Sequence, residues 1–150
     1  MDFETIFSLA NLAALSGWLV LLFGPVLPAR AATIPRLIVP ALLATAYVAL
    51  ILVGFGDAQG SFATLAGVAA LFDDPSVLLA GWLHFLAFDL LVGSFIAQDR
   101  ARTGLPFWLV IPCLALTFLL GPAGFLLYLL LTFALRARAS GAQPSNGTDR

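Results

Sequence analysis

The sequence predicts an all-α protein: a four-helix integral membrane bundle with a short interfacial helix between the second and third spans. Of the 150 residues, 61% are apolar and only 10% are charged, whereas about 25% are charged in an ordinary soluble domain. Four apolar stretches each reach the roughly 20 residues that cross the hydrocarbon core of a bilayer. Backbone amides in hydrocarbon must be satisfied within the chain, so these stretches are predicted to be helices.

The predicted spans are Ile6–Leu27, Leu37–Phe55, Val77–Ala97 and Phe107–Leu135. The acidic start of the chain argues against a cleaved signal peptide in the first stretch. Gly121-Pro122-Ala123-Gly124 interrupts the fourth stretch, and a proline there removes one helical hydrogen bond. We favour one kinked and tilted span, and the alternative is a re-entrant pair of half-helices.

The segment between the second and third spans holds a shorter apolar run. Ala63–Phe72 is too short to cross a bilayer, so a helix that lies at the interface is predicted. Asp73-Asp74 follows it, and an acidic pair favours the N-terminus of the next helix. Residues 1–135 therefore form the membrane domain, and residues 136–150 are predicted to be a disordered polar tail.

Arginines set the expected orientation. The N-terminal tail and the second loop have none, whereas the first and third loops carry two each. These are Arg30, Arg36, Arg100 and Arg102. Because arginine-rich loops stay in the cytoplasm, both termini are expected outside it, although Arg136 and Arg138 argue the other way.

The composition excludes several kinds of chemistry. Without lysine the chain forms no Schiff base. One histidine excludes a histidine-cluster metal site, and the lone Cys113 excludes an internal disulfide. With a net charge of −1, the chain has no excess of basic residues to bind nucleic acid. We expect no metal, no cofactor and no nucleic-acid partner.

Asp89 and His84 are the candidate acid/base residues. Asp89 lies near the middle of the third span, where an aspartate costs about 3 kcal/mol on insertion scales. It either serves function or pairs internally, and Thr117 is the expected partner by depth. His84 is the single histidine of the chain, the residue type suited to acid/base chemistry near neutral pH, and the alternative is a structural hydrogen-bond donor. Five helical residues, about 140° of rotation, separate the two.

The depths at which the polar residues lie in the membrane, counted along the predicted helices, predict one buried polar pocket. If both termini are outside, Asn11, His84 and the Gly121–Pro122 break lie in the same half of the membrane, while Asp89 and Thr117 lie near its midplane. Irregular backbone at membrane depth is tolerated where it lines a cavity. Such a pocket suits a lipophilic substrate better than an ion.

Three blocks of sequence resemble one known family. They are Gly81–Gly93 (GWLHFLAFDLLVG), Pro112–Gly124 (PCLALTFLLGPAG), and Phe7 to Asn11 with Trp18 and Pro25. On these blocks the chain resembles the abscisic-acid-deficient-four-like family of neoxanthin synthase-like membrane proteins. Phe85 stands where many members have a tyrosine. The lysine-free chain, which starts without a plastid transit peptide, is expected to be a bacterial-type member in the inner membrane.

The resemblance implies a carotenoid-modifying protein. In the plant reaction a xanthophyll 5,6-epoxide opens and a neighbouring proton is lost, which needs an acid and a base but no redox cofactor. His84 and Asp89 would fill these roles. The expected substrate-binding residues are Asn11, Trp18, Trp82, Phe85, Phe88, Thr117, Phe118, Gly121 and Pro122.

The expected partners are membrane lipid, a carotenoid, and either a second copy of the chain or a carotenoid enzyme. Two other functions stay open. One is a non-catalytic carotenoid- or lipid-binding protein that organises partner enzymes, and the other is a small transporter.

Overall fold

The computed structural model describes residues 2–56 and 58–141, and the regular secondary structure in these ranges is entirely helical, with no strand in them. Its six α-helices in these ranges are α1 (Phe3–Leu22), α2 (Val39–Gly54), α3 (Leu65–Phe72), α4 (Pro75–Thr103), α5 (Phe107–Leu120) and α6 (Pro122–Gly141). This confirms the predicted all-α class. The predicted tail beyond Gly141 lies outside the described residues, whereas residues 136–141 continue α6.

Three helical stretches of the described chain are long and apolar enough to cross a membrane. They are Phe3–Leu22, Ala29–Gly54 and Pro75–Thr103. These correspond to the first three predicted spans. The short helix predicted before the third span is α3, which begins and ends close to the expected apolar run.

Side-chain caps determine where several helices begin. The Asp2 carboxylate accepts a hydrogen bond from the Thr5 amide at 2.7 Å at the start of α1. The Thr64 hydroxyl accepts one from the Gly67 amide at 3.0 Å in α3. At α4 the Asp74 carboxylate accepts the Ser76 amide at 2.8 Å and the Val77 amide at 3.2 Å. Each cap satisfies backbone donors that the first helical turn leaves unpaired.

The described residues divide into two compact units, one up to Phe95 and the other from Ile96 onward. In the first unit α1 packs against α4 where each helix has a glycine. A Cβ added at Gly17 would lie 2.6 Å from Leu90, and one at Gly93 would lie 2.7 Å from Trp18. Small residues at a helix interface let backbones approach closely, as membrane helices require.

The order of contacts gives the helix directions in the first unit. Asn11 pairs with Trp82 near the start of both helices, and Trp18 meets Gly93 further along both, so α1 and α4 are parallel. The ring of Tyr47 contacts His84, and Gly54 lies against Ser76. These pairs run in opposite directions along the chain, so α2 is antiparallel to α4.

The second unit corrects the prediction for the fourth apolar stretch. The chain breaks at Gly121, which has φ +32°, and α6 starts at Pro122. Gly124 packs directly on the backbone of α5 at Thr117 and Cys113. The Tyr128 hydroxyl donates to Asp99 at 2.7 Å, and Asp99 precedes α5 in the chain. The kinked continuous span is therefore wrong, because α6 folds back along α5 as a helical hairpin.

We expect Gly124→Ala to destabilise this hairpin. The added Cβ would meet backbone atoms of α5, which cannot move aside as a flexible side chain does. Overpacking costs about 1–3 kcal/mol, which outweighs the gain of up to about 1 kcal/mol from better helix propensity. Thermal unfolding in detergent, followed by circular dichroism, measures the change.

The matched control is Gly24→Ala, because a Cβ at Gly24 meets nothing within 4 Å. That variant should stay within about 0.5 kcal/mol of the parent. If both variants unfold at the parental temperature, the close packing of Gly124 on α5 is wrong.

The Asp74 cap predicts a loss of stability in acid. Its hydrogen bonds to Ser76 and Val77 hold the pKa of Asp74 below the ordinary value of 3.8. The cap is therefore fully effective above about pH 4, and its contribution falls as the pH drops towards the lowered folded pKa, since the unfolded chain takes up the proton first. Unfolding temperatures measured from pH 6 to pH 2.5 should fall in acid, and less steeply in Asp74→Asn. If the neighbouring Asp73→Asn flattens the profile as much as Asp74→Asn, the cap is not the cause.

Candidate functional site

An apolar groove in the first unit holds the histidine. Its volume is about 420 Å³. The groove runs between α2, α3 and the start of α4, and it is lined by Tyr47, Ile51, Phe55, Phe62, Leu71, Phe72, Val77, Gly81 and His84. Tyr47 and His84 each lie about two helical turns along their helices from Phe55 and Val77, a distance of about 10 Å at 1.5 Å per residue. The groove is therefore apolar near the helix ends, and its polar side chains lie at its other end, where His84 is exposed.

Aromatic packing shapes the entrance of the groove. The rings of Phe55 and Phe62 stack with centroids 5.8 Å apart. A Cβ at Gly81 would lie 2.5 Å from the Phe72 ring, so glycine lets this ring lie directly on α4. An apolar and aromatic lining with few polar groups is typical of sites for small hydrophobic molecules.

His84 is held by ring contacts. Its imidazole stacks on Phe88 with centroids 4.4 Å apart and tilts against Tyr47 at 5.8 Å. No hydrogen bond joins His84 to another of the residues that the structure describes. Its ring nitrogens are therefore available to a ligand. Phe88, a predicted binding residue, packs on the imidazole ring.

Tyr47 is a residue of this groove that the sequence analysis did not single out. It lies in the second span and has no neighbour in the chain that suggests chemistry. The structure places its half-buried ring beside His84, in the same groove. The groove thus combines a phenol, which can donate a proton, with an imidazole, which can accept one.

Asn11 forms a separate cluster with Trp82. The Trp82 indole donates to the Asn11 side-chain oxygen at 3.1 Å, and the rings of Phe7 and Phe85 pack on Trp82 at 5.7 and 5.4 Å. Asn11 does not line the His84 groove, and a cavity lined by both residues stays a prediction. Two helical residues turn α4 by about 200°, which puts Trp82 and His84 on different faces at the same depth.

Asp89 lies inside the protein. Its side chain is only 9% exposed, and its Oδ2 atom has no hydrogen-bond partner among the described residues. The helix is regular between His84 and Asp89, so the two side chains keep their separation of about 140°. Asp89 does not line the groove that holds His84. The structure therefore does not bring the two predicted acid/base residues to one face.

The other predicted site residues lie elsewhere. Trp18 packs on Gly93 within the first unit. In the second unit the Thr117 hydroxyl donates to the Cys113 carbonyl at 2.8 Å. Phe118, Gly121 and Pro122 form the end of the α5–α6 hairpin. Their part in binding a substrate, and the pairing of Thr117 with Asp89, stay predictions.

A second groove in the first unit has no titratable side chain in its lining. It lies between α1 and α2 and has a volume of about 490 Å³. Its lining is Ile6, Leu9, Ala10, Ala13, Leu42, Leu43, Ala46, Ala49, Leu50, Val53 and Leu83. Such a surface offers dispersion contacts to a hydrocarbon chain and no group for acid/base chemistry.

Fold and groove together define an all-helical membrane protein with an apolar groove that ends on a histidine and a tyrosine. The chain belongs to the ABA DEFICIENT 4-like family, whose model matches residues 5–128. This confirms the membership that the sequence blocks predicted. The searches of curated proteins and of solved structures found no match.

We expect Asp89→Leu to keep or raise the stability of the protein. A buried polar atom without a partner costs about 1–3 kcal/mol, and an apolar side chain of similar size removes that cost. The loss of function should then exceed any loss of folding, which thermal unfolding together with a functional assay will measure. Asp99→Leu is the matched control, because the Asp99 carboxylate accepts the Tyr128 hydrogen bond and its removal should lower the unfolding temperature. A marked fall for Asp89→Leu would mean that the Asp89 carboxylate has a stabilising partner.

Proposed function

We propose that the protein binds the end group of a carotenoid of the xanthophyll-epoxide class in the His84 groove and isomerises it by acid/base chemistry. The observation that carries this proposal is the contact of His84 with Tyr47 at one end of an apolar groove. Its volume of about 420 Å³ is at the small end of the range for ligand sites, about 300–1,000 Å³. It therefore suits one end group of a long molecule whose remainder extends into lipid.

The proposed reaction conserves atoms and electrons. Tyr47 donates its proton to the epoxide oxygen as the carbon–oxygen bond breaks and its electron pair passes to oxygen. His84 removes a proton from the neighbouring chain carbon, and the electron pair of that carbon–hydrogen bond forms the new double bond of the allene. The proton then returns from the imidazolium to the phenolate, whose ring is adjacent. The membership of the family and the apolar span composition support a lipophilic substrate.

This assignment replaces Asp89 with Tyr47 as the partner of His84. Asp89 is on another face of α4 and does not line the groove. In the proposal Asp89 has a supporting role in the interior of the first unit, and the reacting groups are those that a ligand in the groove can touch.

Non-catalytic binding of a carotenoid or lipid is the second candidate function. The apolar groove between α1 and α2, with about 490 Å³ and no titratable lining residue, favours it. Under this proposal the protein would hold a hydrocarbon chain and present it to a partner enzyme. Ala46→Phe should fill this groove, whereas Ala44→Phe on the same helix lies outside its lining and is the control.

The test of the proposed reaction is pigment conversion by cells that make the protein and contain an epoxyxanthophyll. We expect His84→Gln and Tyr47→Phe each to lower conversion by about 10²- to 10⁴-fold, the usual range for a general acid or base. Chromatography with mass spectrometry measures the pigments, and immunoblotting confirms equal amounts of each variant in the membrane.

Tyr128→Phe is the matched control, because it removes the other phenolic hydroxyl of the chain, one that bonds Asp99 and lies outside the groove. Full conversion by His84→Gln would contradict the catalytic proposal. Pigment that co-purifies equally with parent and His84→Gln, but is lost in Ala46→Phe, would support binding alone.

A further inference from the structure

The second unit has a group of contacts that the proposed function does not use. The last turns of α4 contact the start of α5 through Arg100 and Phe107 and contact the first half of α6 through Tyr128. Tyr128, which is only 1% exposed, donates to Asp99 at 2.7 Å and lies 3.5 Å from the Thr103 hydroxyl. This buried cluster fixes the direction of α6, because Asp99 and Thr103 belong to the helix that precedes the hairpin.

The lengths of the hairpin helices agree with a segment that does not cross the membrane. α5 contains 14 residues, which give about 21 Å at 1.5 Å per residue. The apolar part of α6, from Pro122 to Leu135, has the same length. Either helix is too short for a hydrocarbon core about 30 Å thick. In a hairpin, α6 returns to the face of the membrane from which α5 starts.

A topology of three spans followed by such a hairpin separates the arginines of the described residues from most of their acidic side chains. A chain that changes side at each of α1, α2 and α4 has its first loop, the α4–α5 turn and the end of α6 on one side. Every arginine of the described residues then lies on that side. Asp2, Glu4, Asp73 and Asp74 lie on the other. The four-span alternative instead separates Arg136 and Arg138 from the remaining arginines, against the usual preference of arginine for the cytoplasmic side.

The open end of the hairpin also has the features of a headgroup-level surface. Arg102 and Arg138 are exposed. Trp108 follows at the start of α5 and is 67% exposed, and exposed tryptophans prefer the membrane interface. The Arg100 guanidinium lies 5.2 Å from the centroid of the Phe107 ring, which holds this cation at the same end.

We propose that α5 and α6 form a re-entrant hairpin which enters and leaves the membrane on the cytoplasmic side, and that arginines at its open end bind anionic phospholipid headgroups. Charge complementarity identifies the ligand, because guanidinium groups pair with phosphate through charge-assisted hydrogen bonds. The chain then has its N-terminus outside the cytoplasm and the end of α6 inside it. This inference does not depend on the proposed reaction.

Cysteine labelling tests the hairpin. Cys113 is the only cysteine of the chain and is buried, so Cys113→Ala gives a background without thiols. Single cysteines are then introduced as Thr33→Cys, Ala63→Cys and Ala137→Cys, all at exposed positions. An impermeant maleimide, added to intact and to opened vesicles, should reach Ala137→Cys from the same side as Thr33→Cys. Labelling from the side of Ala63→Cys would overturn the hairpin and restore four spans.

Lipid binding is tested on the full chain in nanodiscs of phosphatidylcholine with increasing phosphatidylglycerol. Native mass spectrometry counts the phosphatidylglycerol molecules that remain bound. We expect Arg102→Gln/Arg138→Gln to lower the preference for phosphatidylglycerol by about tenfold, whereas Glu4→Gln at the opposite end leaves it unchanged. Equal binding by parent and double variant would overturn the headgroup site even if labelling supports the hairpin.

Discussion

The close approach of α1 to α4 is the interaction on which the geometry of the first unit depends. Gly17 and Gly93 each leave room for a large side chain of the opposite helix, Leu90 and Trp18. Lipid supplies no hydrophobic force between helices, so van der Waals contact at small residues has to hold them together. Gly93 is nine residues from His84, about 180° around the helix. Because α1 packs on the face of α4 that carries Gly93, His84 lies on the opposite face. There it contacts Tyr47 of α2.

The few polar side chains of the membrane segments fall into two groups. Thr45 and Thr117 donate to the carbonyls of Ala41 and Cys113, four residues earlier in their own helices, which is the usual local way to satisfy a hydroxyl in a helix. Their polarity is therefore accounted for by the fold. His84 and the Asp89 Oδ2 atom have no such partner among the described residues. Because an unsatisfied polar group is costly in a low dielectric, these residues are better candidates for function than the threonines.

Much of the fold was predictable, because the membrane imposes rules that a single sequence displays. Length and apolarity predicted the first three spans, the short run after Ala63 predicted α3, and the acidic pair at Asp73-Asp74 predicted the start of α4. The reversal at Gly121 was not decided by the sequence, since a glycine–proline break fits a kink as well as a turn. The Tyr128–Asp99 hydrogen bond shows that the chain turns back at Gly121. It joins residues 29 positions apart, so local sequence does not reveal it.

The sequence indicated His84 as a candidate site residue but not the side chains that line the groove around it. Depth along the helices placed Asn11 level with His84, and the pairing of Asn11 with Trp82 agrees with that depth. Depth does not give the rotation of a helix about its axis, however, and a rotation of about 200° separates Trp82 from His84. Tyr47 was not singled out for the same reason, because its contact with His84 depends on how α2 is rotated against α4.

The proposed reaction suits a chain that is poor in polar atoms. An isomerisation takes up and releases one proton in each turnover, so it needs no net supply of protons from water, no redox partner and no second substrate. Two adjacent groups are enough if the proton can return from the base to the acid, and the Tyr47 and His84 rings lie 5.8 Å apart. A transporter, in contrast, moves its solute along a polar path across the membrane, whereas His84 and Tyr47 lie on a different face of α4 from Asp89 and the Asn11–Trp82 pair. Acid/base chemistry on a lipophilic ligand therefore needs the fewest groups in addition to Tyr47, His84 and the apolar lining of the groove.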